Sequence, residues 1–289
     1  MLGQQLANGL AQGGTYALVA VGMALIIGTI RLVTFAHGEV FMIGAYAAFM
    51  VMTQFQGPAL LGFVAAIAVA GLIGAIIEFI GFRLLRNAPH TSSLLVTIGF
   101  SIVLVNAAQL IWGAETRTFP PEAAAATIRV FGLEVPAAQA AVYGLTLAVI
   151  AGVQWTLKCT RLGRAMRATA LDHEAAFVLG VDINRIYALT FAFGSALGGL
   201  AGVLVGLYYN AVYPTMGAMM GLKAFSACIL GGLGSVPGAV IAALALGEAE
   251  NLAVAYLGSG YRHVLSFAIL ILALLFWPQG LFGRKEQVR

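Results

Sequence analysis

Two ionisable residues stand at the head of an apolar run in "RLVTFAHGEVFMIGAY", His37 and Glu39, with Gly38 between them. An ionisable side chain within a bilayer is costly, so it usually faces a cavity, a partner group or a transport pathway. Glu78, Lys223, Glu248 and Glu250 fall in or near other apolar runs and raise the same question. Glu78 lies close to Arg83 and Arg86, which favours snorkelling toward the membrane surface. Lys223 follows a polar turn and reads as interfacial. Glu248 and Glu250 flank Ala249 and so point to different helix faces. His37 and Glu39 are likewise about 200° apart on a helix, so one can face a pathway while the other bonds within the protein. These four, His37, Glu39, Glu248 and Glu250, are the candidate pathway or gate residues. Glu39 has a second reading, as a helix start favoured by the N-terminal dipole.

Enzyme chemistry finds little to work with. HExxH is absent, and the triplet Gly99-Phe100-Ser101 has no identifiable base. No catalytic or metal-binding group is expected. Cys159 and Cys228 lie far apart, without CxxC spacing, and read as small packing residues.

The elements that position these residues follow from composition. The 289 residues are 61% hydrophobic and only 9% charged, against about 25% charged in soluble domains. The chain is therefore read as an all-α, polytopic transmembrane helical bundle, with residues 1–289 forming one transmembrane domain. The charge of +4 is dispersed among short loops and is no nucleic-acid signal. No Lys or Arg precedes Arg31, so the first apolar run is read as a retained span. Spans are expected at about 6–30, 36–54, 58–82, 93–112, 138–157 and 187–209, with two or three more between 221 and 277.

Positive residues collect at 83–90, at 158–186 and in the C-terminal segment, which places these inside. The 113–137 connection balances its charges and is placed outside. The N-terminus is then outside and the C-terminus cytoplasmic, which favours nine spans over eight unless "CILGGLGSVPGAV" re-enters the membrane. In that run Gly231, Gly232, Gly234, Pro237 and Gly238 argue against an unbroken helix. It reads either as a broken or re-entrant helix near 229–239 or as a short cytoplasmic turn. Arg31–Ala36 is expected to turn on the inner side, with His37 one helical turn inside.

Two further patterns concern packing. Gly194, Gly198, Gly202 and Gly206 recur every four residues, a stripe that lets another helix approach closely. "TFAHGEVFMIGAYAAFMV" and "YPTMGAMMGLKAFSACIL" form a faint internal echo, each following a Gly-rich span. Asn106, Gln109, Asn8, Thr15 and Tyr16 are expected to make hydrogen bonds between helices.

The inner loop contains a helix-forming stretch, Ala165 to Leu179, capped by Gly180. Within it Glu174, Ala175, Ala176 and Gly180 match the short "EAA…G" loop signature of ABC importer permeases, an ATPase-coupling element. Nearly end to end, the chain resembles the first of the two permease subunits of high-affinity branched-chain amino acid ABC importers. Four segments carry this: "LANGLAQGGTYALVAVGMALIIG", "VTFAHGEVFMIGAY", "PTMGAMMGLKAFSACILGGLGSVPGAVIAALALGEAE" and "FWPQGLFGR". One departure is that no Leu-Pro pair follows the loop glycine; the next proline is Pro214.

The resemblance implies a second permease subunit, two ABC ATPases and a periplasmic binding protein as partners in a bacterial inner membrane. It implies leucine, isoleucine or valine as substrate, with urea, short amides or other amino acids as alternatives within the family. The chain has no Walker A motif. It is therefore expected to be a transport subunit without enzyme activity and without cofactor, ATP-Mg being used by the partner subunits. An ATPase-independent secondary transporter or channel is the more distant reading.

Overall fold

Backbone amides and carbonyls have no water to bond in a bilayer core, so apolar runs of this length must satisfy them within helices. In a computed structural model, described for residues 2–85, 90–120, 127–130, 133–258, 260–277 and 280–282, they do so. The helices are α1 (Leu2–Ile30), α2 (His37–Phe49), α3 (Ala59–Ile77), α4 (His90–Trp112) and α5 (Ala137–Cys159). They continue with α6 (Arg161–Leu171), α7 (His173–Val178), α8 (Ile183–Tyr209), α9 (Met216–Gly231), α10 (Val236–Leu257) and α11 (Tyr261–Phe276). A π-helical turn prolongs α2 to Gln54, and another prolongs α3 to Phe82. Among the described residues, six helices are long and apolar enough to cross a membrane: α1, α3, α4, α5, α8 and α10. α9 and α11 are shorter and also apolar.

The 113–137 connection adds something the all-α reading did not contain. A small antiparallel hairpin pairs β1 (Thr127–Val130) with β2 (Leu133–Pro136). The main chain of Arg117 also bridges to Val212.

α1 is apolar all round rather than on one stripe, and such a helix belongs in the centre of a bundle. Its most apolar stretch is 94% buried. α10 runs antiparallel along it: Gly9 meets Glu248, Gly13 meets Leu244 and Gly28 meets Gly234. The glycines explain the closeness, since without Cβ atoms the two backbones touch.

The break between α9 and α10 spans Gly232–Ser235. Gly232 and Gly234 take positive φ, 101° and 83°, conformations that strain other residues. Ser235 caps α10 by accepting from the Gly238 amide at 3.2 Å, and Pro237 sits in the first turn, where no amide is missed. Because Gly234 lies against Gly28, this is a turn near the C-terminal end of α1. Three helices, α9 to α11, therefore follow residue 210.

Residues 31–36 form a second non-helical stretch inside the bundle. His37 packs against Gly22, eight residues before α1 ends at Ile30, or about 12 Å of helix. Residues 31–36 thus run back alongside α1, so that His37 packs about two turns before the C-terminal end of that helix. Thr34 and Ala36 in this segment are buried. Arg31, at φ 57°, makes the reversal.

The faint sequence echo has a structural form. α1 and α8 each end in a left-handed residue, Arg31 and Asn210. Each is followed by a six-residue connector, 31–36 and 210–215, and then by the shorter helices α2 and α9. The two copies cross, with Gly22 on the Gly194 carbonyl and Gly38 on Gly217.

The inner-loop helix is two helices instead of one. Asp172, at φ −154°, breaks it, and its carboxylate accepts from the Ala175 amide to start α7. An aspartate that can cap competes with helix continuation, which the composition of the stretch concealed. Gly180, at φ 87°, ends α7, with its own amide donating to the Phe177 carbonyl.

The four-spaced glycines of α8 face partners within this chain. Gly194 meets Gly22 and Ile26, Gly198 the His37 ring, Gly202 the α2 backbone and Gly206 the Phe119 ring. A Cβ on Gly202 would fall on the Phe41 carbonyl oxygen and within 3.0 Å of the Ala45 amide nitrogen. Gly202→Leu is accordingly expected to destabilise the protein by about 1–3 kcal/mol or more. Gly152→Leu, with nothing within 4 Å, should be neutral, and thermal unfolding of both in detergent separates them.

Candidate functional site

Glu39 enters the bundle in the first turn of α2, and its carboxyl group is 1% exposed. One oxygen, Oε1, accepts from the Ser101 hydroxyl of α4 at 3.0 Å. The other, Oε2, has no hydrogen-bond partner. Both residues open on a cavity of about 220 Å³ between α1, the 31–36 segment, α4 and α9. Its walls are otherwise mostly apolar: Met23, Phe35, Ile98, Ile102, Leu222 and Phe225 line it, with Thr34. The Phe35 and Phe225 rings lie 5.8 Å apart, and the Phe35 amide donates to Thr97 Oγ1 at 3.4 Å. The 31–36 segment therefore builds one wall.

His37 faces away from this cavity. Its ring fills the space left by Gly22 and Gly198 and is 2% exposed. The 200° separation of His37 and Glu39 is thus realised as two environments.

Glu250 belongs to a second, fully bonded cluster that joins four helices. Its Oε2 accepts from Lys223 Nζ at 2.8 Å, from the Tyr16 hydroxyl at 2.6 Å and from Gln12 Nε2 at 2.6 Å. Its Oε1 accepts from the Ser266 hydroxyl. Lys223 also donates to Tyr16 at 2.7 Å. Lys223 is 4% exposed, so the interfacial reading is overturned: the lysine is buried because a carboxylate on the neighbouring helix compensates it. Glu248 takes no part. It is half-buried beside Gly9, with Oε2 unbonded.

Other expected polar residues divide in the same way. Tyr16 joins helices through Glu250, whereas Asn106 and Thr15 bond carbonyls of their own helices, Ile102 and Gln12. Glu78 is 2% exposed, buried at the π turn rather than reaching out to the surface. Cys228 is buried against the Ala20 carbonyl, and Cys159 is exposed.

At the α6–α7 end of the bundle, Glu174 and Ala175 are exposed and Ala176 is packed inward. Phe177, Val178 and Leu179 are 69%, 83% and 82% exposed. Three adjacent bare hydrophobic side chains on a short helix outside the apolar spans form a ready contact for a protein partner.

Sequence reasoning missed Ser101, Lys223, Gln12 and Ser266 as members of these clusters. Ser101 had a signal, as a hydroxyl in an otherwise apolar span. The others become visible only when four helices are brought together.

A family model described as "Branched-chain amino acid transport system / permease component" matches residues 5–274. The chain is 39% identical to the high-affinity branched-chain amino acid transport system permease protein LivH of Salmonella typhimurium, over 98% of this chain and 96% of that one. It is equally similar to the corresponding permease protein BraD of Pseudomonas aeruginosa, with the same coverage. Among solved structures, PsaBC from Streptococcus pneumoniae in complex with Fab shares the fold, with a TM-score of 0.52, 12% identity and coverage of 94% and 91%. Helices long and apolar enough to cross a membrane and a match over nearly the whole chain lead to one conclusion. The protein is a multi-pass membrane protein and belongs to the permease components of branched-chain amino acid transport systems.

Proposed function

We propose that this chain is one of two permease subunits of an ATP-driven, binding-protein-dependent importer, and that its substrates are leucine, isoleucine and valine. The observation that carries the reading is the near-full-length similarity to permeases named for that transport. The mostly apolar cavity beside a buried carboxyl group supports it, because an aliphatic amino acid needs an apolar slot and a polar anchor.

In this reading the N-terminus is outside and the α6–α7 end is cytoplasmic, as the charges of Lys158, Arg161, Arg164, Arg167 and Arg185 favour. Two ABC ATPases bind ATP-Mg and dock on this subunit and its permease partner, with the α7 surface as the contact here. A periplasmic binding protein delivers the amino acid at the opposite end, and the chain itself binds no cofactor. Uptake of labelled leucine by the assembled importer in proteoliposomes tests this. Isoleucine and valine should compete, and competition by urea instead would reassign the substrate.

A further inference from the structure

Resting on that reading, we propose that the carboxyl group of Glu39 binds the ammonium group of the amino acid as it crosses the bundle. Three observations converge. The carboxyl group is almost wholly buried, and one of its oxygens has no partner among the described residues. Its other oxygen accepts from Ser101, and both residues line the cavity, while Oε2 itself lies beside Gly217 of α9. The cavity measures about 220 Å³, whereas a water molecule occupies about 30 Å³ in the liquid, so there is room for a small molecule beside the carboxyl.

A buried polar atom without a bond costs free energy, and a carboxylate in an apolar site gains most from a cationic ligand. An ammonium group supplies three donors and one positive charge. Met23, Ile98, Ile102 and Leu222 offer an aliphatic side chain its apolar surroundings. The contrast with Glu250 is instructive. That carboxylate already has its cation, Lys223, and four donors, so it has no site to offer. Glu39 has one donor, Ser101, and no cationic side chain bonded to it among the described residues.

The test uses the complete importer in proteoliposomes, with leucine-loaded binding protein at saturation. Glu39→Gln keeps the shape and an acceptor for Ser101 but removes the charge. Leucine transport should fall at least tenfold while ATP hydrolysis stimulated by loaded binding protein persists. As a second variant, Ala218→Leu narrows the cavity from the α9 side while leaving the Glu39 carboxyl group and its Ser101 donor in place. It should lower the ratio of leucine to valine transport several-fold. Glu39→Gln transporting at the wild-type rate, or losing transport and hydrolysis together, overturns the proposal, the second result marking a structural role. An unchanged leucine-to-valine ratio in Ala218→Leu would also contradict it. A wild-type importer that moves no leucine refutes the substrate reading instead, which separates the two failures.

Discussion

Lys223→Ala is expected to cost about 3–5 kcal/mol, enough to prevent recovery of folded protein. The loss comes from Glu250 more than from the lysine. Glu250 is fully buried where α1, α9, α10 and α11 meet, and removal of its cation leaves a carboxylate with no compensating charge. Glu250→Gln should fail comparably, by leaving the lysine buried alone. The double substitution Lys223→Met with Glu250→Gln removes both charges while Tyr16 keeps an acceptor, and should recover much of the loss. Non-additivity of this kind is the mark of a direct pair. Thermal unfolding of the purified variants in detergent reads it. A double variant no more stable than either single one would mean that the cluster is not held by the ion pair.

The second large effect concerns the other end of the protein. Charging the exposed face of α7 by Phe177→Asp with Leu179→Asp should abolish ATP hydrolysis stimulated by the binding protein and the co-purification of the ATPase subunits. Both side chains are mostly solvent-exposed, so the substitutions remove little internal packing, and thermal stability of the isolated subunit should be unchanged. Normal stimulation in the variant would remove α7 from the coupling path. The departure from the Leu-Pro continuation makes this test informative. Here the segment ends instead at Gly180 in the left-handed conformation.

What the sequence made legible follows from what lipid demands. Span positions depend on runs of about twenty apolar residues, a property of contiguous sequence. The break at Gly232–Ser235 was legible for the same local reason, since proline and clustered glycines cannot sustain a helix. Asp172 shows the limit of local reading. Ala165 to Leu179 has good helix formers throughout, yet one capping carboxylate divides the stretch.

The site was harder to read because its geometry is not local. Hydropathy cannot tell a lysine at a span's edge from one paired in its interior, so Lys223 reads as interfacial from sequence alone. Its partner is 27 residues away, on the far side of a turn. The 31–36 segment was hidden for a related reason. "LVTFA" is apolar whether it turns at the membrane face or runs back beside α1, and only the packing of His37 on Gly22 distinguishes the two. The four-spaced glycines announced a close approach without naming the neighbours, which are α1, α2 and, at Gly206, the Phe119 ring.

The central claim is that this chain forms the pathway of an ATP-driven importer for branched-chain amino acids, coupled through its α6–α7 end. Its most direct test is leucine accumulation in proteoliposomes holding the assembled importer, with ATP and loaded binding protein supplied on chosen sides. The account predicts accumulation against a gradient only when ATP is on the α6–α7 side and the binding protein on the other. Leucine flux that proceeds without ATP, or no accumulation in that arrangement, would contradict it.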